Sequence, residues 1–166
     1  MPRGSEETLY CCFYRIGLQF RLGELYSCRR KDAPQEKESA LNGIAYLETI
    51  GIREVPSDED RSVIELEITD ELLNPHGGLQ GGLIATLIDV AAGRAASKSI
   101  PADSSVVTSD VSIRYLRPVT GGSAQAVARI LRAGRRSVAV GVEVLAHPTG
   151  ELAAVATLGL VVVERS

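Results

Sequence analysis

Hydrophobic and polar positions along the chain change period several times, and each change predicts an element. Ser39 to Ile50 has the spacing of a short helix. Arg61 to Thr69 reads RSVIELEIT, with Ile64, Leu66 and Ile68 alternating against Glu65 and Glu67. A period of two predicts a half-buried strand. From about Gly81 to Ser99 the apolar positions follow a helical period, and Pro101 closes that region. Four alternating segments follow. Val106 to Arg117 sets Val111, Ile113 and Tyr115 against Ser112 and Arg114. Ser123 to Ala133 comes after a Gly121-Gly122 turn, and Gly134 marks the next turn. Arg136 to His147 carries Val138, Val140, Val142 and Val144; Pro148-Thr149-Gly150 separates it from Glu151 to Glu164. The predicted order is helix, strand, long helix and a four-strand meander. The fold class is α+β: a curved antiparallel sheet must cover its apolar face, and the long helix is the one element large enough to do so.

Composition narrows the picture. The chain has 166 residues, enough for one domain with a real core. Only 4% are aromatic, so Ala, Val, Leu and Gly must build that core. Residues 1–38 differ from the rest. They hold Cys11, Cys12 and Cys28, most of the aromatics and a charged stretch from Arg29 to Glu38. They read as a poorly ordered N-terminal extension, with the domain proper at 39–166. The cysteines lack metal-ligand spacing and fit reduced thiols of a cytoplasmic protein; His76 and His147 are the only histidines, so no metal site is expected. A net charge of −3 and the shortage of stacking aromatics speak against nucleic acid. No apolar run of membrane-spanning length is present, and Arg15 and Arg21 interrupt the one patchy candidate, Leu9 to Leu25.

The candidate chemistry lies in residues 74–93, NPHGGLQGGLIATLIDVAAG. A glycine-rich turn runs into the long helix, whose first N–H groups have no partner within the helix. About two turns in stands Asp89, a carboxylate that looks set for burial. Its neighbours three, four and seven residues away are Gly82, Ala85, Thr86, Ala92, Gly93 and Ala96, all small. Leu83, Ile84, Leu87, Ile88 and Val90 supply bulk on the other faces. A solvated Asp on a wet face is the plain alternative, but no run of Lys and Glu marks such a face. Gly81 and Asp89 are separated by about 12 Å of helix rise, too far for one small carbonyl to touch both. Two antiparallel copies packed along the small-residue stripe would bring the start of one helix to the middle of the other. The sequence therefore points to a homo-oligomer, dimer or tetramer, with sites shared between subunits.

Between Val111 and Val142 there is no Asp or Glu, yet there are Arg114, Arg117, Arg129, Arg132, Arg135 and Arg136. Arginine forks suit phosphate, and Gly134-Arg135-Arg136-Ser137 could cradle one at a hairpin. Solvated strand charges are the alternative.

Asn74-Pro75, Gly77, Gly81-Gly82, Leu87 and Asp89, with the later VTSDVSIRYLRPV, resemble the hotdog-fold acyl-CoA thioesterases of the PaaI-like branch. The resemblance covers about residues 40–166. It implies a hotdog fold and hydrolysis of an acyl-CoA thioester to a free acid and coenzyme A. It also implies roles. Asp89 would be general base, or the nucleophile that forms a mixed anhydride. The Gly81 N–H would polarise the thioester carbonyl, Asn74 would position water or thioester, and Thr108 would orient water beside Asp89. Arg117, Arg135, Arg136 and Ser137 would hold the phosphates of coenzyme A, which is part of the substrate, so no separate cofactor is implied. The chain departs from the pattern at Gln80, where the family carries His. Glutamine can donate and accept hydrogen bonds but cannot shuttle a proton near neutral pH, so only an orienting role survives. His76, four residues earlier, is the one nearby imidazole. The rival reading is an acyl-CoA-binding hotdog protein with little or no turnover.

Overall fold

The computed structural model describes residues 42–58 and 61–165, all within one compact unit, Glu38–Ser166. The expected extension 1–38 and its three cysteines lie outside the described residues.

The elements run α1 (Asn42–Thr49), β1 (Ile52–Val55), β2 (Arg61–Glu67), a 3-10 turn (Asp70–Leu72), α2 (Gly81–Lys98), β3 (Ser104–Tyr115), β4 (Ser123–Ala133), β5 (Ser137–His147) and β6 (Glu151–Glu164). The long helix and the four late strands fall where the periodicity puts them. The strand β1 was not foreseen. Its four residues are too few to show an alternation, and it forms by pairing Ile52 with Leu66 and Val55 with Val63 on β2.

All six strands form one antiparallel sheet in the order β1-β2-β4-β5-β6-β3. The expected meander is corrected here: β3 does not pair with β4. It lies at the far edge against β6, and β4 inserts between β2 and β5. Gly121-Gly122 is therefore not a hairpin turn. It ends a crossover that delivers the chain to β4, where the Gly122 N-terminal flank meets β2 through Ile68 N–H donating to the Gly122 carbonyl at 2.9 Å. Gly122 has φ +72°, and a Cβ there would strike the carbonyl of His147. Both facts require glycine. Alternation sets which face a strand shows to the core; it carries no information about which neighbour the strand takes.

The inner face of the sheet wraps α2. Ile84, Leu87, Ile88, Ala91, Ala92, Ala95 and Ala96 are buried against Ile64, Leu66, the alanines of β4, the valines of β5, and Leu158 and Leu160 of β6. Alanine on facing surfaces lets the helix lie deep in the concave sheet, and full burial of Leu87 and Ile88 contributes about 1.5–3 kcal/mol each. The sheet encloses more of α2 than expected. Ala92 and Ala96, placed by spacing on the Asp89 stripe, are buried in the core. What remains at least partly open around Asp89 is Gly82, Ala85, Thr86, Gly93 and Ser97.

The outer face holds one compact polar cluster. Glu65 on β2 accepts bonds from Arg53 Nε at 3.0 Å and Nη2 at 2.8 Å, from Ser123 Oγ at 2.6 Å and from Gln125 Nε2 at 3.1 Å. These partners, the Ser123 hydroxyl foremost, hold its carboxyl below the usual carboxylate range against the opposing effect of burial.

Candidate active site

Residues 74–80 form a tight turn that presents the start of α2. Asn74 Oδ1 accepts from the N–H of His76 at 2.8 Å and of Gly78 at 3.3 Å, while Asn74 N–H donates to the Gly78 carbonyl at 2.7 Å. An Asn in such a turn locks its own backbone. Its carbonyl oxygen is thereby committed, which leaves the amide NH2 as the group able to donate to a ligand. Gln80 N–H donates to the Leu72 carbonyl at 3.1 Å, tying the turn to the 3-10 segment. Gln80 is the N-cap of α2, but its exposed side chain makes no capping bond. Helix N–H donation begins with Leu83 and Ile84, both to the Gln80 carbonyl. The N–H groups of Gly81 and Gly82 precede it and are left for a ligand.

This helix start opens on a cleft of about 360 Å³ lined by Asn74, Leu79, Gly81, Ile84, Tyr115, Leu116, Arg117 and Pro118. Asp89 is not in it. Asp89 faces a separate cleft of about 300 Å³ with Gly93, Ser97, Ser105 and Thr108. The expectation of a buried carboxylate is corrected: within one chain Asp89 is exposed, because the sheet stops short of its stripe. Thr108 Oγ1 donates to Asp89 Oδ1 at 2.7 Å, so the two residues expected together are in direct contact. One chain thus carries a donor end and an acid end in different clefts.

The arginines divide in the same way. Arg117 lies in the cleft of Gly81, with its guanidinium 3.8 Å from Glu151 on the exposed surface. Arg135, Arg136 and Ser137 lie in a third cleft of about 740 Å³, with Arg132, Ser109 and Asp110. There the β4–β5 hairpin is closed by Gly134 N–H donating to the Ser137 carbonyl at 2.9 Å. Arg132 joins this group although spacing alone did not select it, because the bulge between Ile130 and Arg132 shifts the register of β4. His76 is exposed on the turn.

Tyr115 was not singled out by its sequence context. Its hydroxyl donates to the Gly81 carbonyl at 2.9 Å, and its ring lies 3.6 Å from where a Cβ on Gly81 would stand. The signal was present, since Tyr115 alternates with Ser112 and Arg114 on the side of Val111 and Ile113, but its partner is 34 residues away. Among the described residues no three His, Cys, Asp or Glu side chains gather in a metal-binding group.

Comparison with known proteins bears on this geometry. The family model described as "Thioesterase superfamily" matches residues 76–153. A 1,4-dihydroxy-2-naphthoyl-CoA hydrolase of Listeria monocytogenes is 33% identical over 88 residues, covering 53% of this chain and 72% of that protein. A conserved protein of Pseudomonas aeruginosa, known by structure, is 34% identical with a TM-score of 0.65, covering 72% of this chain and 94% of its own. The Escherichia coli PaaI protein from the phenylacetic acid degradation operon shares the fold at a TM-score of 0.68 and 22% identity, over 78% of this chain and 91% of its own. At this identity and coverage the chain belongs to the thioesterase superfamily, as a hotdog-fold thioester hydrolase.

Proposed function

We propose that this protein hydrolyses acyl-CoA thioesters to free acid and coenzyme A, in an oligomer where Asp89 of one copy works with Gly81 of another. The observation that carries the reading is the Asp89–Thr108 pair, 2.7 Å apart beside an open cleft, in a member of the thioesterase superfamily. The Listeria relative, by name a hydrolase of an aryl-CoA, supports coenzyme A as the thiol. Substrates of this kind also favour a cytoplasmic location. Among the described residues no helix is long and apolar enough to cross a membrane.

Thr108 gives its proton to Asp89 Oδ1, so its oxygen can only accept from a water. A water donating one proton to Thr108 Oγ1 and the other toward Asp89 Oδ2 has a lone pair free for attack. That arrangement favours Asp89 as general base over Asp89 as nucleophile. The water oxygen adds to the thioester carbonyl carbon as Asp89 takes its proton. Negative charge develops on the carbonyl oxygen, where the Gly81 N–H at the start of a second copy's α2 stabilises it, with the Asn74 amide as a further donor. The C–S bond then breaks, and the proton on Asp89 goes to the departing thiolate. Arg117 beside one cleft and Arg135, Arg136 and Ser137 in another are the candidates for the phosphates of coenzyme A.

Gln80 supports a second reading, an acyl-CoA-binding protein with little turnover, because its amide cannot carry a proton. A panel of acyl-CoA substrates with wild type and Asp89→Asn separates the two. Turnover by wild type that Asp89→Asn abolishes is expected. Micromolar binding without turnover would favour the binding protein, and full activity in Asp89→Asn would remove Asp89 from its role. Gln80→His tests whether this departure from the family limits the rate.

A further inference from the structure

We propose that Tyr115 is a positioning residue for the donor end of α2: its hydroxyl holds the Gly81–Gly82 peptide, which carries the Gly82 N–H and fixes the chain on the far side of Gly81, so that the Gly81 N–H keeps its aim. The inference rests on Gly81 as the donor proposed above. The carbonyl that Tyr115 binds at 2.9 Å belongs to the peptide joining Gly81 to Gly82. Two successive glycines have more backbone freedom than any other pair. The usual restraint on a helix start is a capping side chain, and Gln80 makes no capping bond. A Cβ placed on Gly82 would touch nothing within 4 Å, so packing does not hold that residue either. On one side of Gly81 the Gln80 carbonyl is held by Leu83 and Ile84 N–H, at 3.0 and 3.2 Å. On the other side two hydroxyls bind: Tyr115 donates to the Gly81 carbonyl at 2.9 Å from across the cleft, and Thr86 donates to the next carbonyl, that of Gly82, at 3.0 Å from within the helix.

The anchor reaches across from β3, the strand that also supplies Thr108. Two hydroxyls of this strand thus grip α2, Thr108 at Asp89 and Tyr115 at Gly81. Any movement of β3 against α2 would disturb both ends of the machinery together. Tyr115 is half-exposed and shares its cleft with Asn74 and Gly81, so its ring also walls the space a thioester would enter.

Tyr115→Phe removes the hydroxyl and keeps the ring. Two measurements on the full chain test it. The first is 15N relaxation of the Gly81 and Gly82 amides, which needs no turnover. Order parameters near the rigid limit of about 0.85 are expected in wild type, with a fall at these two amides in the variant. The second is steady-state hydrolysis of acyl-CoAs of several chain lengths. A fall in kcat of about tenfold for every chain length, with KM held within about twofold, is expected of a donor that has lost its aim. Unchanged order parameters, or unchanged kcat, would overturn the proposal. So would a loss of activity matched by a loss of folded protein in thermal denaturation. If the amides loosen while wild type hydrolyses no acyl-CoA at all, the anchor is upheld and the thioesterase reading is the one that fails.

Discussion

Thr108 and Asp89 are 19 residues apart in sequence and in hydrogen-bond contact in space, and neither is buried. The pair depends on one short bond between two side chains held by a strand and a helix. Replacing Asp89 by Asn removes the proposed base but keeps the size, and we expect kcat to fall by about 10²–10⁴, read with the best substrate of the panel. Thr108→Val keeps the β-branch and loses the hydroxyl, and a smaller loss in kcat, about tenfold, is expected with little change in folding. Glu65 belongs to stability instead. Its folded carboxyl titrates below the ordinary value of 4.5, so the stability it adds is present above that value. That stability is lost as pH falls through the lowered folded value. Urea denaturation across pH 3–7 should show a drop at the acid end that Glu65→Gln flattens, and the variant should be about 1–2 kcal/mol less stable at neutral pH. The candidate site residues were legible because their types are chemically suggestive and match a known family. Tyr115 was not, since a tyrosine in an alternating strand reads equally well as core.

Among the elements, α2 lines both clefts, with Gly81 in one and Asp89 in the other. Its boundaries could be read from the sequence because a helical period bounded by glycine and proline is a local signal. Leu87, on its core-facing side, is fully buried, and Leu87→Ala should cost about 2–5 kcal/mol in urea denaturation at neutral pH. Ser62 on β2 offers the opposite case. It is fully buried, and among the described residues its hydroxyl has no hydrogen-bond partner. Ser62→Ala should therefore be neutral or stabilising by about 1 kcal/mol, and a clear destabilisation would mean the hydroxyl has a partner in solution. The pairing of strands was not legible. Strands β3, β4, β5 and β6 look alike as sequence, all alternating and all Val- or Ala-rich. The order β4-β5-β6-β3 follows from how α2 must be covered, which is a property of the assembled sheet.

For the whole molecule, one chain displays two separate ends. The donor end and the acid end open into different clefts, and the stripe between them, Gly82, Thr86, Asp89 and Gly93, leaves room for close approach. Along it runs β3, a 12-residue strand paired on one side by β6 and open on the other, with Val107, Val111 and Tyr115 exposed. A long, partly apolar free edge of this kind invites pairing with a second copy. We expect a dimer or tetramer by analytical ultracentrifugation, and Val111→Lys should shift it toward monomer with loss of activity. Mixed oligomers of Asp89→Asn with a Gly81→Pro chain should recover activity that neither parent has, as a Pro at Gly81 lacks the N–H. No recovery in confirmed mixed oligomers would place a complete site within one chain. For the phosphates, Arg135→Ala with Arg136→Ala should raise KM for acyl-CoA about tenfold at low salt and less at high salt, with kcat unchanged.

Local features could be read along the chain: where the helix and late strands lie, which residues alternate between their faces, and which side chains are of a type suited to the thioester hydrolysis proposed above. Period, turn residues and side-chain type are properties of neighbours in the chain, and they survive being read one residue at a time. The tertiary structure decided everything that depends on residues far apart: β3 at the sheet edge rather than beside β4, Ala92 and Ala96 in the core rather than beside Asp89, Arg117 parted from Arg135 and Arg136, and Tyr115 on the Gly81 carbonyl. The reason is the same in each case. A sheet that curves around a helix sets its own strand order and its own degree of wrapping, and both arise from packing the whole core at once.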